Sequence, residues 1–364
     1  MFVARVEADR VRSLTGVVFE PDPGLTVIIG PNGAGKTNLV EAIFFGLTSR
    51  SFRTSDRRDL IPFGSAYARC RVTVSGTGVD HMFMASASRS EGSRYTMDGA
   101  KIEQAEAAGH RPKVTVFSPD RLELIKGPPA GRRAHIDSFV AARWPGRAGL
   151  RSAFGRILAQ RNALISRIAA GQADRSGLAT WDSQFAEAAE ALAGSREKAV
   201  AELGERWAAA ADELGLEGPK SLTYRPGAAT TSEEILKGLE EKLENDLRLG
   251  RSSWGPHHDE IRVELDGRQL RRFGSQGQQR LGLLALLFAE RSALLETGGG
   301  APLMLLDDVM SELDAHRRER LVERLLEGGQ AVITAAEGEL IPERGAILRV
   351  AIADLLEDSR EVAG

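Results

Sequence analysis

The chain has 364 residues, which is too long for one ordinary hydrophobic core and long enough for two domains. Hydrophobic residues make up 42% and charged residues 27% of the chain, as is typical of a water-soluble globular protein. No stretch approaches the ~18 apolar residues of a membrane span, and the net charge of −3 does not by itself indicate nucleic-acid binding. The single cysteine excludes an internal disulfide and a cysteine-based zinc site. The single cysteine and an N-terminus unlike a signal peptide together favour a cytoplasmic protein with no membrane partner.

The first 50 residues predict a strand, a glycine-rich loop and a helix. The stretch "LTVIIG" (25–30) is a short β-branched run that ends in glycine, which predicts a buried strand. The following stretch, 36–47, places Leu39, Ile43 and Leu47 at the spacing of one helix face. A strand, a loop and a helix in this order are the structural setting that a phosphate-binding loop requires.

The loop itself reads "GPNGAGKTN" and matches the phosphate-binding consensus in full. Its glycines allow backbone N–H groups to turn towards phosphate oxygens, and the helix after it directs its positive end at the same anion. We expect Lys36 to reach the β- and γ-phosphates of ATP, and the Thr37 hydroxyl to bind Mg²⁺. The residues predicted to bind the nucleotide in this loop are Gly30, Asn32, Gly33, Ala34, Gly35, Lys36, Thr37 and Asn38.

Further strands and then helices are predicted up to residue 215. Strands are expected at 68–74, 81–87 and 113–117, with an Asp-Gly hairpin turn within 97–101. Between about 145 and 215 the apolar spacing predicts two antiparallel helices with a heptad-like seam. The longer helix should have about 30 residues, or roughly 45 Å, far less than the coiled-coil arms of chromosome-organising ATPases.

Strands return after residue 255. We expect an Asp-Gly hairpin, a helix and three strands, at 261–273, 277–296, 302–308, 330–336 and 346–352. The predicted fold is therefore an α/β domain that is interrupted by a helical insertion. We assign the α/β domain to residues 1–125 and 251–364, and the helical lobe to residues 126–250.

The segment "LMLLDDVMSELD" (303–314) has the Walker B pattern, in which an apolar strand ends in acidic residues. Asp307 should reach the Mg²⁺ beside the phosphate-binding loop. Asp308 should orient or deprotonate the attacking water, which makes it, with Lys36, a candidate catalytic residue.

The segment "FGSQGQQRLGL" (273–283) lies upstream of Walker B and resembles the signature loop of ATP-binding-cassette proteins. In that architecture Ser275, Gly277 and Gln278 would bind the γ-phosphate held by a second copy of the chain. The residues "SELD" (311–314) match the D-loop of the same dimer face. The alternative is that 273–283 is simply the glycine-rich start of a helix.

The complete set of motifs resembles the RecF family of bacterial replication and repair ATPases, which are related to the heads of SMC proteins. Besides the segments above, "FSPDRLELIKGPPAGRRAHID" (117–137) and "GPHHDEI" (255–261) resemble two further family signatures. The family usually has Arg where His258 stands and a second Asp where Glu260 stands, which leaves the role of 255–259 open.

The resemblance implies an ATPase head of the ABC type with a helical insertion. It also implies a weak, Mg²⁺-dependent ATPase that DNA stimulates, and a homodimer that forms on ATP. Such a protein binds gapped DNA or junctions of single-stranded and double-stranded DNA. It helps the RecO and RecR proteins load RecA, and it supports replication and the SOS response.

Several residues leave alternatives open. Arg50, Arg53, Arg57 and Arg58 are candidate DNA contacts, although such a cluster is also typical of a solvated surface. Asp308 is one methylene shorter than the Glu usual in cassette ATPases, so hydrolysis should be slow, and Asp308→Glu should change the turnover.

Three motif positions are less certain than the others. Thr334 stands where a switch histidine would be, and the Q-loop should lie near Ser118 to Asp120. A metal site at residues 257–259 is disfavoured because adjacent histidines on a strand face opposite ways.

Two other classes of protein remain as alternatives. An ATP-binding transporter subunit would need a membrane partner, and the insertion between the phosphate-binding loop and the signature is too long for it. A different SMC-like ATPase, such as a subunit of a defence nuclease, would need a nuclease module or a long coiled coil.

Overall fold

The computed structural model describes residues 1–76, 78–298 and 300–363. The strands are β1 (Phe2–Asp9), β2 (Val17–Phe19), β3 (Leu25–Ile29), β4 (Tyr67–Ser75), β5 (His81–Ser88), β6 (Gly92–Met97), β7 (Ala100–Lys101), β8 (Val114–Phe117), β9 (Lys220–Arg225), β10 (Glu260–Leu265), β11 (Arg268–Gln269), β12 (Leu303–Leu306), β13 (Ala331–Ala335) and β14 (Ile347–Ala351). The helices are α1 (Lys36–Thr48), α2 (Gln104–Ala107), α3 (Glu123–Lys126), α4 (Pro129–Arg143), α5 (Leu150–Ala169), α6 (Leu178–Glu213), α7 (Ser232–Leu249), α8 (Leu270–Phe273), α9 (Gln276–Leu295), α10 (Ala315–Leu326) and α11 (Ile352–Ala363).

The chain divides into two compact units. The first, here called the sheet unit, comprises Met1–Arg121, Glu213–Gly215 and Leu294–Gly364. The second, here called the helix unit, comprises Leu122–Asp212 and Leu216–Ala293. Residues 251–293 thus pack with the helices, because β10 pairs with β9 and Trp207 of α6 donates to the Gly282 carbonyl of α9 at 2.9 Å. The functional lobes at 1–125 with 251–364 and at 126–250 stay a prediction.

The sheet unit contains one antiparallel and one parallel sheet within the described residues. The antiparallel sheet has the order β2-β1-β4-β5-β6-β7, and α1 packs against β4 and β5. The helix lies so close to β4 that a Cβ added at Gly46 would overlap Val72 and would lie 3.0 Å from the buried Cys70 Sγ. The predicted Asp98-Gly99 turn joins β6 to β7 with positive φ at both residues, 51° and 85°, as a two-residue hairpin turn requires.

The parallel sheet has the order β14-β3-β13-β12-β8 and carries the phosphate-binding loop. Its inner strands are almost entirely buried and are apolar except for Thr26 and Thr334, as expected for a sheet covered on both faces. The register pairs Leu306 with both Phe117 and Ile333, so β8 and β12 end at one level and β13 continues two residues further, through Thr334 to Ala335. The residues that follow these strand ends are therefore brought together at one edge of the sheet.

The helices α5 and α6 of the helix unit share their apolar cluster with a third helix, α7. The predicted antiparallel pair is confirmed as α5 and α6, and α6 has 36 residues because it begins inside the predicted break. Phe154 of α5 meets Phe185 of α6 with ring centroids 5.2 Å apart, and Ile235 of α7 completes the same apolar cluster. The heptad-like spacing therefore buries its apolar residues in a three-helix core.

The predicted hairpin at 261–273 is only partly right. Strands β10 and β11 do flank Asp266-Gly267, where φ is 52° and 69°. Leu270–Phe273, however, forms the short helix α8, whose turn closes with a hydrogen bond of 3.0 Å from Gly274 N to Leu270 O. The apolar residues Leu270 and Phe273 lie three apart, so they share one face of a helical turn, whereas in a strand they would face opposite sides.

The part of the chain that the structure describes contains no helix that is long and apolar enough to span a membrane.

Candidate nucleotide-binding site

The phosphate-binding loop runs from the end of β3 to the first turn of α1. Gly33 and Gly35 have φ of 82° and 105°, which residues with a side chain rarely adopt. Gly30 cannot be replaced for a different reason, because an added Cβ would lie 2.5 Å from Ile352 Cγ2. Lys36 is buried, and its ammonium group donates to the carbonyls of Gly30 at 2.6 Å and Pro31 at 3.0 Å. These contacts hold the lysine inside the curve of the loop.

The N-terminus of α1 offers free backbone donors to an anion. Gly35 is the N-cap residue, and no described side chain caps this helix end. The first N–H groups of a helix have no acceptor within the helix, and its dipole favours negative charge there. Thr37 and Asn38 belong to this first turn, whereas Asn32 is exposed on the loop and Ala34 N donates to Pro31 O at 3.2 Å.

Asp307 lies directly beside the phosphate-binding loop. The Thr37 hydroxyl is 2.9 and 2.8 Å from its two carboxylate oxygens, and the Thr334 hydroxyl donates to Oδ1 at 2.9 Å. Burial raises the pKa of Asp307, and the two threonine hydrogen bonds oppose that rise. A hydroxyl and a carboxylate in contact are oxygen ligands of the kind Mg²⁺ prefers, so Thr37 and Asp307 fit a magnesium site.

Asp308 follows with its backbone in the left-handed region, at φ 50°. The Thr334 hydroxyl accepts a hydrogen bond of 2.9 Å from Asp308 N. Thr334 therefore fixes both acids, by donating to one and accepting from the other. Thr334 stands where the sequence predicted a switch residue. Its side chain is fully buried and makes hydrogen bonds to Asp307 and Asp308.

Ser118 is a residue of this edge whose environment the sequence did not reveal. It follows β8 at the level of Asp307, because Asp307 N donates to Phe117 O at 2.8 Å. Its side chain is only 2% exposed, and within the described residues its hydroxyl has no hydrogen-bond partner. A buried polar atom of this kind is costly unless it is satisfied. Ser118 lies in the segment where a Q-loop was expected.

Glu41 forms a second polar cluster on the same helix α1. Its fully buried carboxylate accepts from Arg12 at 3.0 and 3.2 Å, from Arg53 at 3.2 Å, and from the Ser51 hydroxyl. Arg53 also donates to Asn38 Oδ1 at 3.2 Å. Arg53, one of the predicted DNA contacts, is therefore tied to the nucleotide-binding helix. This cluster was not predictable from the sequence, because its members lie up to 41 positions apart along the chain and share no motif.

The signature segment lies in the helix unit, at the start of α9. The Ser275 hydroxyl accepts from Gln278 N at 3.2 Å, and Gln278 Oε1 accepts from Ser275 N at 2.8 Å. This reciprocal pair is a capping box. Ser275 and Gly277 are exposed, and the serine still has its hydroxyl proton to donate. The loop is thus a well-formed helix start that can also bind an anion.

The D-loop segment begins the helix α10. Asp314 caps this helix by accepting from Arg317 N at 2.9 Å, and the Ser311 hydroxyl donates to Asp308 O at 3.2 Å. Ser311 is exposed. This second hydrogen bond connects the D-loop to the backbone of the predicted catalytic acid.

The residues at 255–259 serve the packing of the helix unit. Buried Asp259 accepts from Arg196 at 2.8 Å, from the Tyr224 hydroxyl at 2.6 Å and from Gly227 N at 2.8 Å. Burial lowers the pKa of His257 to about 4, and its ring packs on Phe154. Among the described residues no cluster of His, Cys, Asp and Glu could hold a metal ion.

Comparison with known proteins decides which family this site belongs to. The sequence profile described as "RecF/RecN/SMC N terminal domain" matches residues 2–354. A protein of Moorella thermoacetica named DNA replication and repair protein RecF is 36% identical over 335 residues, which cover 92% of this chain and 89% of that protein. The chain belongs to the RecF family.

Other RecF proteins and solved structures agree with this assignment. The RecF protein of Acidothermus cellulolyticus is 34% identical, over 93% of this chain and 95% of its own. A solved structure of the recombination mediator protein RecF with ATP, from the RecFOR pathway, has a TM-score of 0.83 at 26% identity and covers 96% of both chains. An SMC head with a TM-score of 0.59 and 17% identity shares the fold. The fold is thus the ABC-type ATPase head of RecF and SMC proteins.

Proposed function

We propose that this protein is an ATP-dependent DNA-binding ATPase that mediates recombination in DNA replication and repair. The observation that carries the proposal is the contact between Thr37 of the phosphate-binding loop and Asp307 of Walker B, 270 positions apart, with Thr334 fixing both Asp307 and Asp308. The names of the RecF relatives and the RecF structure with ATP support the biological role.

The phosphate-binding loop holds the triphosphate of ATP. Lys36 turns its ammonium group towards the β- and γ-phosphates, and the N–H groups from Gly33 to Asn38 donate to phosphate oxygens. Thr37 and Asp307 hold Mg²⁺, which neutralises phosphate charge when it is bound.

Hydrolysis depends on Asp308 and is slow. Its carboxylate accepts no hydrogen bond within the described part of the chain, so it is available to orient a water molecule. Its backbone is held by Thr334, and its side chain is short, so the base reaches the water imperfectly. We expect weak ATP turnover that DNA stimulates, so that ATP acts mainly as a latch.

The ATP-dependent contact forms between two copies of the chain. Ser275, Gly277 and the N-terminus of α9 in one copy bind the γ-phosphate held by the other, while Gln278 keeps Ser275 in place. The homodimer binds gapped DNA and junctions of single-stranded and double-stranded DNA. It acts in the cytoplasm with RecO and RecR in loading RecA, and it supports the SOS response.

Sedimentation with and without ATP and Mg²⁺ tests the latch. The wild-type chain should change from monomer to dimer with ATP, and Ser275→Arg should bind ATP but stay monomeric. Thr231→Arg is the matched control, because Thr231 also caps a helix, α7, through its hydroxyl and lies outside the signature. Dimerisation of Ser275→Arg to the wild-type extent, or loss of the dimer in both variants alike, would contradict the proposed role of the signature loop.

A further inference from the structure

An aromatic ring stands fully in solvent on the sheet unit. Phe63 lies between the short helical turn Arg57–Leu60 and β4, and its relative exposure is 104%. Among the described residues, the next most exposed large apolar side chains are Val79 at 65% and Phe273 at 64%. An isolated ring of this kind makes no contribution to the core of its own chain.

The ring is presented by an ordered turn. Ser65 N donates to Pro62 O at 3.1 Å, and Gly64 has φ of +79°, so Phe63 occupies the second position of a tight turn with glycine third. Leu60 and Ile61 anchor the turn in the core. The exposure of Phe63 is therefore fixed by the backbone.

A second loop braces the same turn. Arg89, at the end of β5, donates from its backbone to Ala66 O at 3.2 Å and from Nε to Ser65 O at 3.3 Å. Its guanidinium group is thereby held next to the turn that carries Phe63.

Positive charge flanks the ring. Residues 50–66 contain four arginines and two aspartates. The Arg58 side chain is 70% exposed and is only 3.8 Å from Asp56, a loose pair that water screens. Arg89 is also exposed. An exposed aromatic ring in a segment with exposed arginines, and with Arg89 bonded to the same turn, matches the chemistry of single-stranded nucleic acid, whose bases stack and whose phosphates are anionic.

The surroundings of Phe63 do not suit an apolar protein partner. Protein interfaces usually expose a contiguous apolar patch. Here the residues beside Phe63 in the turn are Pro62, Gly64 and Ser65, and the two apolar residues that precede the turn in the chain, Leu60 and Ile61, are buried. A single base needs only one ring face.

We propose that Phe63 stacks on an unpaired base of gapped DNA, with Arg58 and Arg89 on the neighbouring phosphates. This inference rests on the proposed function and specifies how the protein prefers DNA with unpaired bases. In an intact duplex the bases cover one another, so the ring finds no free face. At a gap, the first unpaired base offers one.

Fluorescence anisotropy of the full chain with ATP and Mg²⁺ tests the proposal. Two labelled DNAs of equal length are compared, one gapped and one an intact duplex. Phe63→Ala should weaken binding to gapped DNA roughly 5- to 150-fold, the usual range for loss of one stacked base, and should leave duplex binding unchanged. Phe63→Trp should retain the wild-type affinity. Val79→Ala is the control for loss of an exposed apolar side chain.

A spectroscopic measurement reports stacking itself. With 2-aminopurine at the first unpaired position, wild-type protein should quench the fluorescence, and Phe63→Ala should not. Arg58→Gln should reduce the slope of log affinity against log salt by about 1, as expected for one phosphate contact.

The possible failures can be told apart. If the wild-type chain binds neither DNA, the proposed function fails and this inference with it. If the wild type binds gapped DNA and Phe63→Ala binds it equally well, only the role of Phe63 is overturned. Loss of a protein partner by Phe63→Ala, with DNA affinity unchanged, would likewise overturn it and assign the ring to a protein interface.

Discussion

Among single residues, Asp307 shows how the fold keeps a buried carboxylate ready for a cation. It is 5% exposed, and its only hydrogen-bond donors among the described side chains are the hydroxyls of Thr37 and Thr334. Two neutral donors do not compensate the loss of hydration, so the pKa of Asp307 stays raised. The site therefore stores an unfavourable negative charge that a bound cation would relieve.

Replacing Asp307 by Asn should stabilise the protein and weaken its Mg²⁺-dependent binding of ATP. The raised pKa means that the folded chain holds more protons than the unfolded chain between the two pKa values. The free energy of unfolding of the wild-type protein therefore falls as the pH rises. Asn keeps the shape and carries no charge, so the gain over wild type should grow as the pH rises above the ordinary aspartate pKa of 3.8. Thermal unfolding without Mg²⁺ measures it, and ATP affinity should fall at least ~10-fold.

The opposite pH trend would contradict this account of Asp307. A stability difference that shrinks as the pH rises would mean that the folded state favours the charged carboxylate. Thr334→Ser serves as the control, because it keeps the hydroxyl that bonds Asp307 and Asp308.

The residues of this site were predictable where contiguous motifs carry them. Lys36, Thr37, Asp307 and Asp308 stand at fixed spacings in two short segments, and the structure brings the two segments into contact. Ser118 has no such signal, because its burial depends on how β8 aligns with β12.

At the scale of elements, the start of α9 combines two roles in one side chain. Ser275 caps the helix through Gln278, and the same exposed serine is the proposed contact to a γ-phosphate. The capping role alone would explain its presence in the sequence. A substitution that keeps the cap and changes the charge can separate the two roles.

Ser275→Asp should keep α9 intact and prevent the ATP-dependent dimer. Asp is as good an N-cap as Ser, so stability should change by less than ~0.5 kcal/mol, whereas Ser275→Ala should lose ~1 kcal/mol. The carboxylate would repel the γ-phosphate of the second copy. Thermal unfolding and sedimentation with ATP measure the two effects, and an Asp variant that still dimerises would refute the phosphate contact.

The elements themselves were predictable where the local pattern decides. Most strands named from the sequence are present, because short apolar runs bounded by turn residues have few alternatives, but 270–273 is helical and His257 and His258 lie in a short 3-10 turn rather than a strand. Helices α4 and α7 were not named. Both have an apolar face, but α4 lies before and α7 lies after the stretch of about 145–215 for which helices were predicted. The short helix α8 was included in the hairpin because the residues after the Asp266-Gly267 turn were expected to continue as a strand.

Across the sheet unit, a series of hydrogen bonds connects the nucleotide-binding helix to the turn that carries Phe63. Glu41 of α1 accepts from Arg12, and Arg12 in turn donates from Nη1 to Asp59 O at 2.6 Å and from its backbone to Leu60 O at 2.8 Å. Arg12 has a positive φ of 53°, a conformation that costs free energy and persists only when its surroundings hold it. These contacts offer a physical route between the two proposed binding sites.

Glu41→Gln should weaken the effect of ATP on DNA affinity more than it weakens binding of ATP itself. The amide keeps the shape of the side chain but loses the charge that holds Arg12 and Arg53, so stability should also fall by ~1–3 kcal/mol. The measurement is the affinity for gapped DNA with and without ATP, and the ratio of the two should drop about 5-fold or more.

Glu7→Gln is the matched control for Glu41→Gln. Glu7 also pairs with two arginines, Arg5 and Arg71, but it lies on β1 and takes no part in the contacts of Arg12. An equal drop in both variants would mean that the loss is one of general stability, and would remove the assigned role from Glu41.

The series from Glu41 to the Phe63 turn has a consequence for the order of events in the cell. A coupling free energy works equally in both directions, so DNA that engages the turn must raise the affinity for ATP by the same factor. At ATP concentrations that do not saturate the free protein, ATP and DNA would then each promote binding of the other. The protein would then bind ATP most tightly where a gap is also present, so the ATP-dependent dimer would be most populated on gapped DNA.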